Sequence, residues 1–167
     1  MKRAIFILFL AFAIMLTSCG ESVNMGALTE YQNGDFSAEL KIRSGRGEYR
    51  AVILKQGGRF TLSVKEPSAL AAYEFALENG SLSIITGGTE IPLEAGELFP
   101  LCSVFALFSV SVAGTWKIER SRPGGVSIYV CRCEGITLYI DANSRLPLKI
   151  VSGEAEADVL SFKTLAC

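Results

Sequence analysis

Apolar and polar residues alternate with a period of two through most of this chain. Ala38, Leu40 and Ile42 are interleaved with Glu39, Lys41 and Arg43, and Phe60, Leu62 and Val64 with Thr61, Ser63 and Lys65. Successive side chains of a strand point to opposite faces, so this pattern predicts strands with one buried and one wet face. A turn at Ser44-Gly45-Arg46-Gly47 leads to Tyr49, Ala51 and Ile53, and Gly57-Gly58 is a two-residue hairpin signal. Pro67 ends the following strand. Further strands are predicted at 72–78 and 81–86, joined across Asn79-Gly80, and at 89–93 after Gly87-Gly88.

The rhythm breaks once. Between residues 95 and 112, Leu98, Leu101, Phe105, Phe108 and Val112 recur at spacings of three and four, which is a helical face. Phe99, Val104, Leu107 and Val110 occupy the other sides, so the predicted helix is apolar almost all round. Such a helix is buried or covers something apolar. Two roles follow: a core helix packed on the sheet, or a lid over an apolar cavity.

Alternation then resumes around Trp116 and Ile118, in a strand over 114–120. After a turn at Pro123-Gly124-Gly125, Val126, Ile128 and Val130 alternate with Ser127, Tyr129 and Cys131. Glu134-Gly135 turns the chain into Ile136, Leu138 and Ile140. The stretch Asp141-Ala142-Asn143-Ser144 is rich in residues that bond their own backbone, and predicts a turn. Leu146, Leu148 and Ile150 follow, and a last strand lies near 156–163. The expected fold class is mainly β with one buried apolar helix.

The first residues follow another logic. Lys2 and Arg3 precede thirteen apolar residues, Ala4 to Leu16, and the run exits through Thr17-Ser18-Cys19-Gly20. A charged start, a short apolar core and a small-residue exit form the layout of a secretory signal peptide. Thirteen residues fall short of the roughly 20 that span a bilayer. Leu16-Thr17-Ser18-Cys19 resembles the bacterial lipobox, which implies cleavage between Ser18 and Cys19 and a diacylglycerol on the Cys19 thiol. Residues 1–18 are expected to be removed, 19–34 to form the lipidated N-terminus and a polar tether, and 35–167 to form the β domain. The protein is then held at the extracytoplasmic face of the cell membrane.

Removing 18 of the 167 residues leaves 149, enough for one domain with a core. It lowers the basic residues from 16 to 14 against 17 acidic ones, a net charge of −3. No basic cluster suited to nucleic acid is present, so no nucleic-acid partner is expected. The chain has no histidine, which removes His-based general bases, Ser–His and Cys–His pairs and most zinc sites. Glu94, Glu97, Glu154, Glu156 and Asp158 lie near turns or at alternating polar positions, as solvated carboxylates do. No glycine pair matches a phosphate-cradling motif. No enzyme, metal or cofactor is expected. Beyond Cys19 there are Cys102, Cys131, Cys133 and Cys167. Cys131 and Cys133 are two apart on a predicted strand, about 6.6–6.8 Å between Cα atoms, at the outer limit for a bridge. They are expected not to pair with each other.

Residues 135–165, GITLYIDANSRLPLKIVSGEAEADVLSFKTL, resemble the C-terminal half of the LolA-like lipoprotein-carrier superfamily. An apolar strand, an Asp-opened turn, a Pro-containing strand and a final strand fall on Ile140-Asp141, Ser144, Pro147 and Phe162. Related lipoproteins occur in spore-forming Firmicutes, including a family implicated in germination. The resemblance implies a half-open antiparallel β-barrel around helices, with an apolar cavity that accepts acyl chains or lipidated proteins. In this chain Leu98, Leu101, Phe105 and Phe108 are the candidates to line it. The alternative is an envelope or spore-associated adaptor lipoprotein that docks a protein partner.

Overall fold

The structure is a computed structural model that describes residues 23–45, 47–93, 103–109, 114–153 and 155–165. Eleven strands form one antiparallel sheet: β1 (Phe36–Ser44), β2 (Gly47–Gln56), β3 (Arg59–Glu66), β4 (Tyr73–Glu78), β5 (Ser81–Thr86), β6 (Thr89–Pro92), β7 (Lys117–Ser121), β8 (Ile128–Cys133), β9 (Ile136–Asp141), β10 (Pro147–Ser152) and β11 (Ala155–Thr164). The spatial order is β6-β5-β4-β3-β2-β1-β11-β10-β9-β8-β7. Two meanders are thus joined at their inner strands, where β1 pairs with β11. Among the described residues, β6 and β7 are the edge strands of the sheet.

Tight turns fix the register. The hairpins at Gly57-Gly58, Asn79-Gly80, Gly87-Gly88 and Glu134-Gly135 each place two consecutive residues at positive φ. That backbone twist matches the twist of the flanking strands, and glycine at the second position adopts it without strain. With register fixed, the period-two pattern sends Phe36, Ala38, Leu40 and Ile42 to one face, and all four are buried. Ala51 and Ile53 of β2 and Phe60, Leu62 and Val64 of β3 join them.

Two helices lie in the described chain: α1 (Met25–Leu28) and α2 (Ser103–Phe108). Asn24 caps α1, its side-chain oxygen accepting from the Ala27 N–H at 2.9 Å. Of the long apolar helix expected from the sequence, Ser103–Phe108 are described, and Val104, Phe105 and Phe108 in it are buried. Leu98 and Leu101 lie outside the described residues, as do Ser18, Cys19, Cys102 and Cys167.

Three local expectations differ from the structure. The polar stretch 19–34, expected as a tether, is folded from Val23 onward: Met25, Leu28 and Tyr31 are core residues. The helix is a single turn, and its Met25 and Leu28 side chains join the buried cluster of the sheet. Val126 lies beyond the 3-10 turn Pro123–Gly125 and is 53% exposed rather than alternating in a strand. Leu148 sits at an irregularity between Pro147 and Lys149 that turns it to solvent.

Candidate functional site

Residues paired directly across neighbouring strands share a face. The registers therefore trace an apolar row, Ile91–Ile84–Phe75–Leu62–Ile53–Ala38, which runs from the β6 edge to β1 and meets Phe162 of β11. A second row crosses the other half: Ile118–Cys131–Leu138–Ile150–Ala157–Ile42. This inner face carries α2. Phe108 packs on Phe36 with ring centroids 5.7 Å apart, and Phe105 stands edge-on to Phe60 at 6.3 Å. Phe36 also stacks on Phe162 at 5.0 Å and meets Phe60 edge-on at 6.2 Å.

Coverage of the first row is uneven. Leu62 and Ile53 are 0% exposed and Phe75 is 3%, whereas Ile84 is half-buried and Ile91 is 47% exposed. Leu77 and Leu82, paired across β4 and β5, are half-buried as well. Among the described residues the apolar face is closed over its centre and left accessible toward β6. An apolar surface left accessible beside a closed core is where an apolar ligand gains most from leaving water.

Of the candidate cavity residues, Phe105 and Phe108 are brought together on the inner face, both buried among rings of the sheet. The residues missed from sequence are Leu77, Leu82, Ile84 and Ile91. They alternate correctly, but nothing in alternation tells a covered position from an uncovered one.

A second concavity lies at the end of the sheet where the chain enters it. A cleft of about 310 Å³ opens between the 3-10 turn Glu30–Gln32, the start of β1, the β9–β10 turn and the end of β11. Tyr31, Leu146 and Leu165 form its apolar lining, with Glu30, Asp35 and Arg145 around it. Burial pushes the Tyr31 phenol up to about 12. The Gln32 side-chain amide donates to its oxygen at 3.2 Å, and its ring stands edge-on to Phe162 at 5.6 Å. Asp141 organises the adjoining turn, its carboxylate accepting from the Asn143 and Ser144 backbone N–H groups at 2.9 and 2.7 Å. Those bonds, the Ser144 N–H first, hold its carboxyl below the usual range.

The outer face is wet and charge-paired. Arg43 bridges Glu156 and Asp158, and Lys149 pairs with Glu156 at 2.6 Å. Arg59 reaches Glu78 at 2.8 Å and Glu90 at 3.0 Å. These are cross-strand pairs on a solvated face, and none converges on a concave site. Cys131 and Cys133 are both free thiols, Cys131 buried in the second row and Cys133 half-buried. Among the described residues no group of His, Cys, Asp or Glu side chains is arranged to hold a metal ion.

No protein-family model and no curated protein matches the chain. Solved structures do. An uncharacterized conserved protein from Thermus thermophilus is similar at 15% identity and a TM-score of 0.56, with 84% of each chain covered. A chain of the Pseudomonas aeruginosa MucA/MucB complex is similar at 16% identity and a TM-score of 0.51, covering 86% of this chain and 56% of that one. This protein thus spans little more than half the length of that matched chain. A LolA superfamily protein, NE2245 from Nitrosomonas europaea, aligns over 87% of this chain at 11% identity, but its TM-score of 0.43 is too low to carry an argument. At these identities the likenesses establish a shared fold: an open antiparallel sheet with few helices.

Proposed function

We propose that this chain is an extracytoplasmic lipoprotein, anchored through a diacylglycerol on Cys19, whose open sheet takes up acyl chains on its inner face. The observation that carries the reading is the apolar row that is closed over β1–β4 and uncovered at Ile84 and Ile91. A ligand lying along that row extends the core outward, burying apolar surface at about 25 cal/mol per Å². The motif resemblance of residues 135–165 to LolA-like carriers supports the same ligand class. So does the lipobox-like Leu16–Cys19, since a domain anchored there would sit beside a source of acyl chains. The chemistry is binding, not catalysis: the inner face offers apolar carbon.

The test is uptake of a fluorescent fatty-acyl probe by the full chain, compared with Ile91→Glu. Residue 91 is 47% exposed on an edge strand, so a charge there leaves stability within about 1 kcal/mol. It also puts an unpartnered carboxylate in the path of the acyl chain, and probe affinity is expected to fall at least about tenfold. Equal uptake by both proteins, or none by the wild type, contradicts the reading.

A second reading is an adaptor that docks a protein partner. Its support is the open edge strands β6 and β7, whose outward backbone groups can accept an added strand, and the fact that MucB, in a similar structure, is complexed with MucA. Edge pairing leaves the inner face free. Ile91→Glu then changes neither partner binding nor probe signal, which separates the two.

A further inference from the structure

The inner face of β1–β6 is apolar carbon with one cation in it. By the pairing registers Lys55 lies two residues beyond Ile53 on β2, opposite Phe36 of β1 and Phe60 of β3. The carboxylates of these strands sit at the alternate, outward positions, as Glu39, Glu74, Glu78 and Glu90 do. Glu66, past an irregularity at the end of β3, pairs with Arg50 at 3.6 Å. Lys55 is half-buried, and its ammonium stands 5.8 Å from the centroid of the Phe60 ring.

The neighbours of this ammonium are neutral. It donates to the carbonyl of Gln32 and, at 3.4 Å, to that of Gly34. It makes no ion pair among the described residues. The Asp35 carboxylate accepts from the Gly57 N–H at 3.0 Å, and Glu78 and Glu90 are held by Arg59. An ammonium carries three donors, so two carbonyls leave one donor and the whole charge without a counter-charge. A cation half out of water gains from an anion brought to it, and the bond so formed is charge-assisted.

A second apolar row starts at this cation. Direct pairs lead from Lys55 to Phe60, Leu77 and Leu82, and the Leu93 N–H extends the row by donating to the Leu82 carbonyl at 2.9 Å. Leu77, Leu82 and Leu93 are half-buried and run beside the accessible Ile84 and Ile91. Neighbouring strands lie about 4.8 Å apart, so the four steps from β2 to β6 cover about 19 Å. One leaflet of a bilayer gives its acyl chains about half of roughly 30 Å. The furrow between the two rows is therefore long enough for one such chain with its charged end at Lys55.

We infer that the inner face takes its acyl chain as an ionised long-chain fatty acid, with the carboxylate on Lys55 and the tail over Leu77, Leu82 and Ile84 toward Ile91. The inference rests on the acyl reading proposed above and adds the headgroup and the direction of the chain. The Gln32 and Gly34 carbonyls hold the ammonium in place, and its remaining donor meets the carboxylate. A neutral ester of the same length gains the apolar contact and forgoes the charge.

Binding of tritiated hexadecanoic acid and of its methyl ester to the full chain at pH 8 tests this. The wild type is expected to bind the acid about tenfold more tightly than the ester. Lys55→Met, which keeps an unbranched apolar stem, is expected to bind both with the ester's affinity, and Lys55→Arg to restore the preference. Carbodiimide coupling of bound acid to the wild type needs no variant, and peptide mapping should place the resulting amide on Lys55. Equal binding of acid and ester by the wild type, or coupling at other lysines alone, overturns the headgroup assignment and leaves acyl uptake standing. Equal losses of acid and ester in Lys55→Met also overturn it, since Lys55 then only ties the chain entry to β2. Binding of neither ligand overturns the acyl reading and this inference together.

Discussion

Replacing Phe108 by alanine tests the packing that closes the inner face. The ring is 0% exposed and covers Phe36, which in turn touches Tyr31, Phe60 and Phe162 with centroids 5.0 to 6.3 Å away. Truncation removes the contact and leaves a cavity that neighbours held by strand hydrogen bonds cannot refill. Phe→Ala changes at such sites cost about 3–5 kcal/mol. For a chain of this size each kcal/mol shifts the melting temperature by about 2–4 °C, so the midpoint should fall by about 10 °C. Thermal unfolding of the full chain, followed by near-ultraviolet circular dichroism, measures it. Phe36→Leu made in the same background should be non-additive with Phe108→Ala, because the two rings share one contact. A loss below about 1 kcal/mol, additive with the change at Phe36, would refute the claim that α2 closes the sheet.

Two further outcomes follow from burial, and a third from the sequence at Cys19. Burial raises the Tyr31 phenol from 10.0 to about 12, so the folded state holds a proton that the unfolded chain releases. Stability is therefore full below pH 10 and lost as pH rises toward 12, by on the order of 3 kcal/mol; Tyr31→Phe should flatten that part of an alkaline denaturation curve. Burial likewise pushes the Cys131 thiol up to about 11, so a thiolate-selective reagent at pH 8 should label Cys133 before Cys131 in the native protein; the reverse order by peptide mass mapping contradicts the placement of β8. Cys19→Ala should yield a precursor that keeps residues 1–18 and carries no diacylglycerol, and normal cleavage of that variant, read by intact mass, contradicts the lipobox.

Strand positions were largely legible in the sequence because alternation and hairpin glycines act locally. Phe60, Leu62 and Val64 face inward as their spacing demands, and Asn79-Gly80 makes the turn its residue types favour. The departures have non-local causes. Val23 to Tyr31 reads as a tether because its apolar residues follow no period-two alternation, yet Met25, Leu28 and Tyr31 are buried in the core. On β8 Cys131 lies in the inner row while Ile128 and Val130, on the other face, are also buried, so two-sided burial masks which face is the core. The site was half legible. Phe105 and Phe108 announce themselves by helical spacing, whereas the uncovered row ending at Ile84 and Ile91 depends on which strand becomes an edge, and strand order is not written in alternation.

The central claim is that the inner face holds acyl chains, and native mass spectrometry of the full chain purified from membranes tests it most directly. The account predicts a population heavier than the anchored protein by the mass of one or more acyl lipids, lost on delipidation and recovered on adding fatty acid, and diminished in Ile91→Glu. A single species at the mass of the anchored chain, unchanged when fatty acid is supplied, would contradict it.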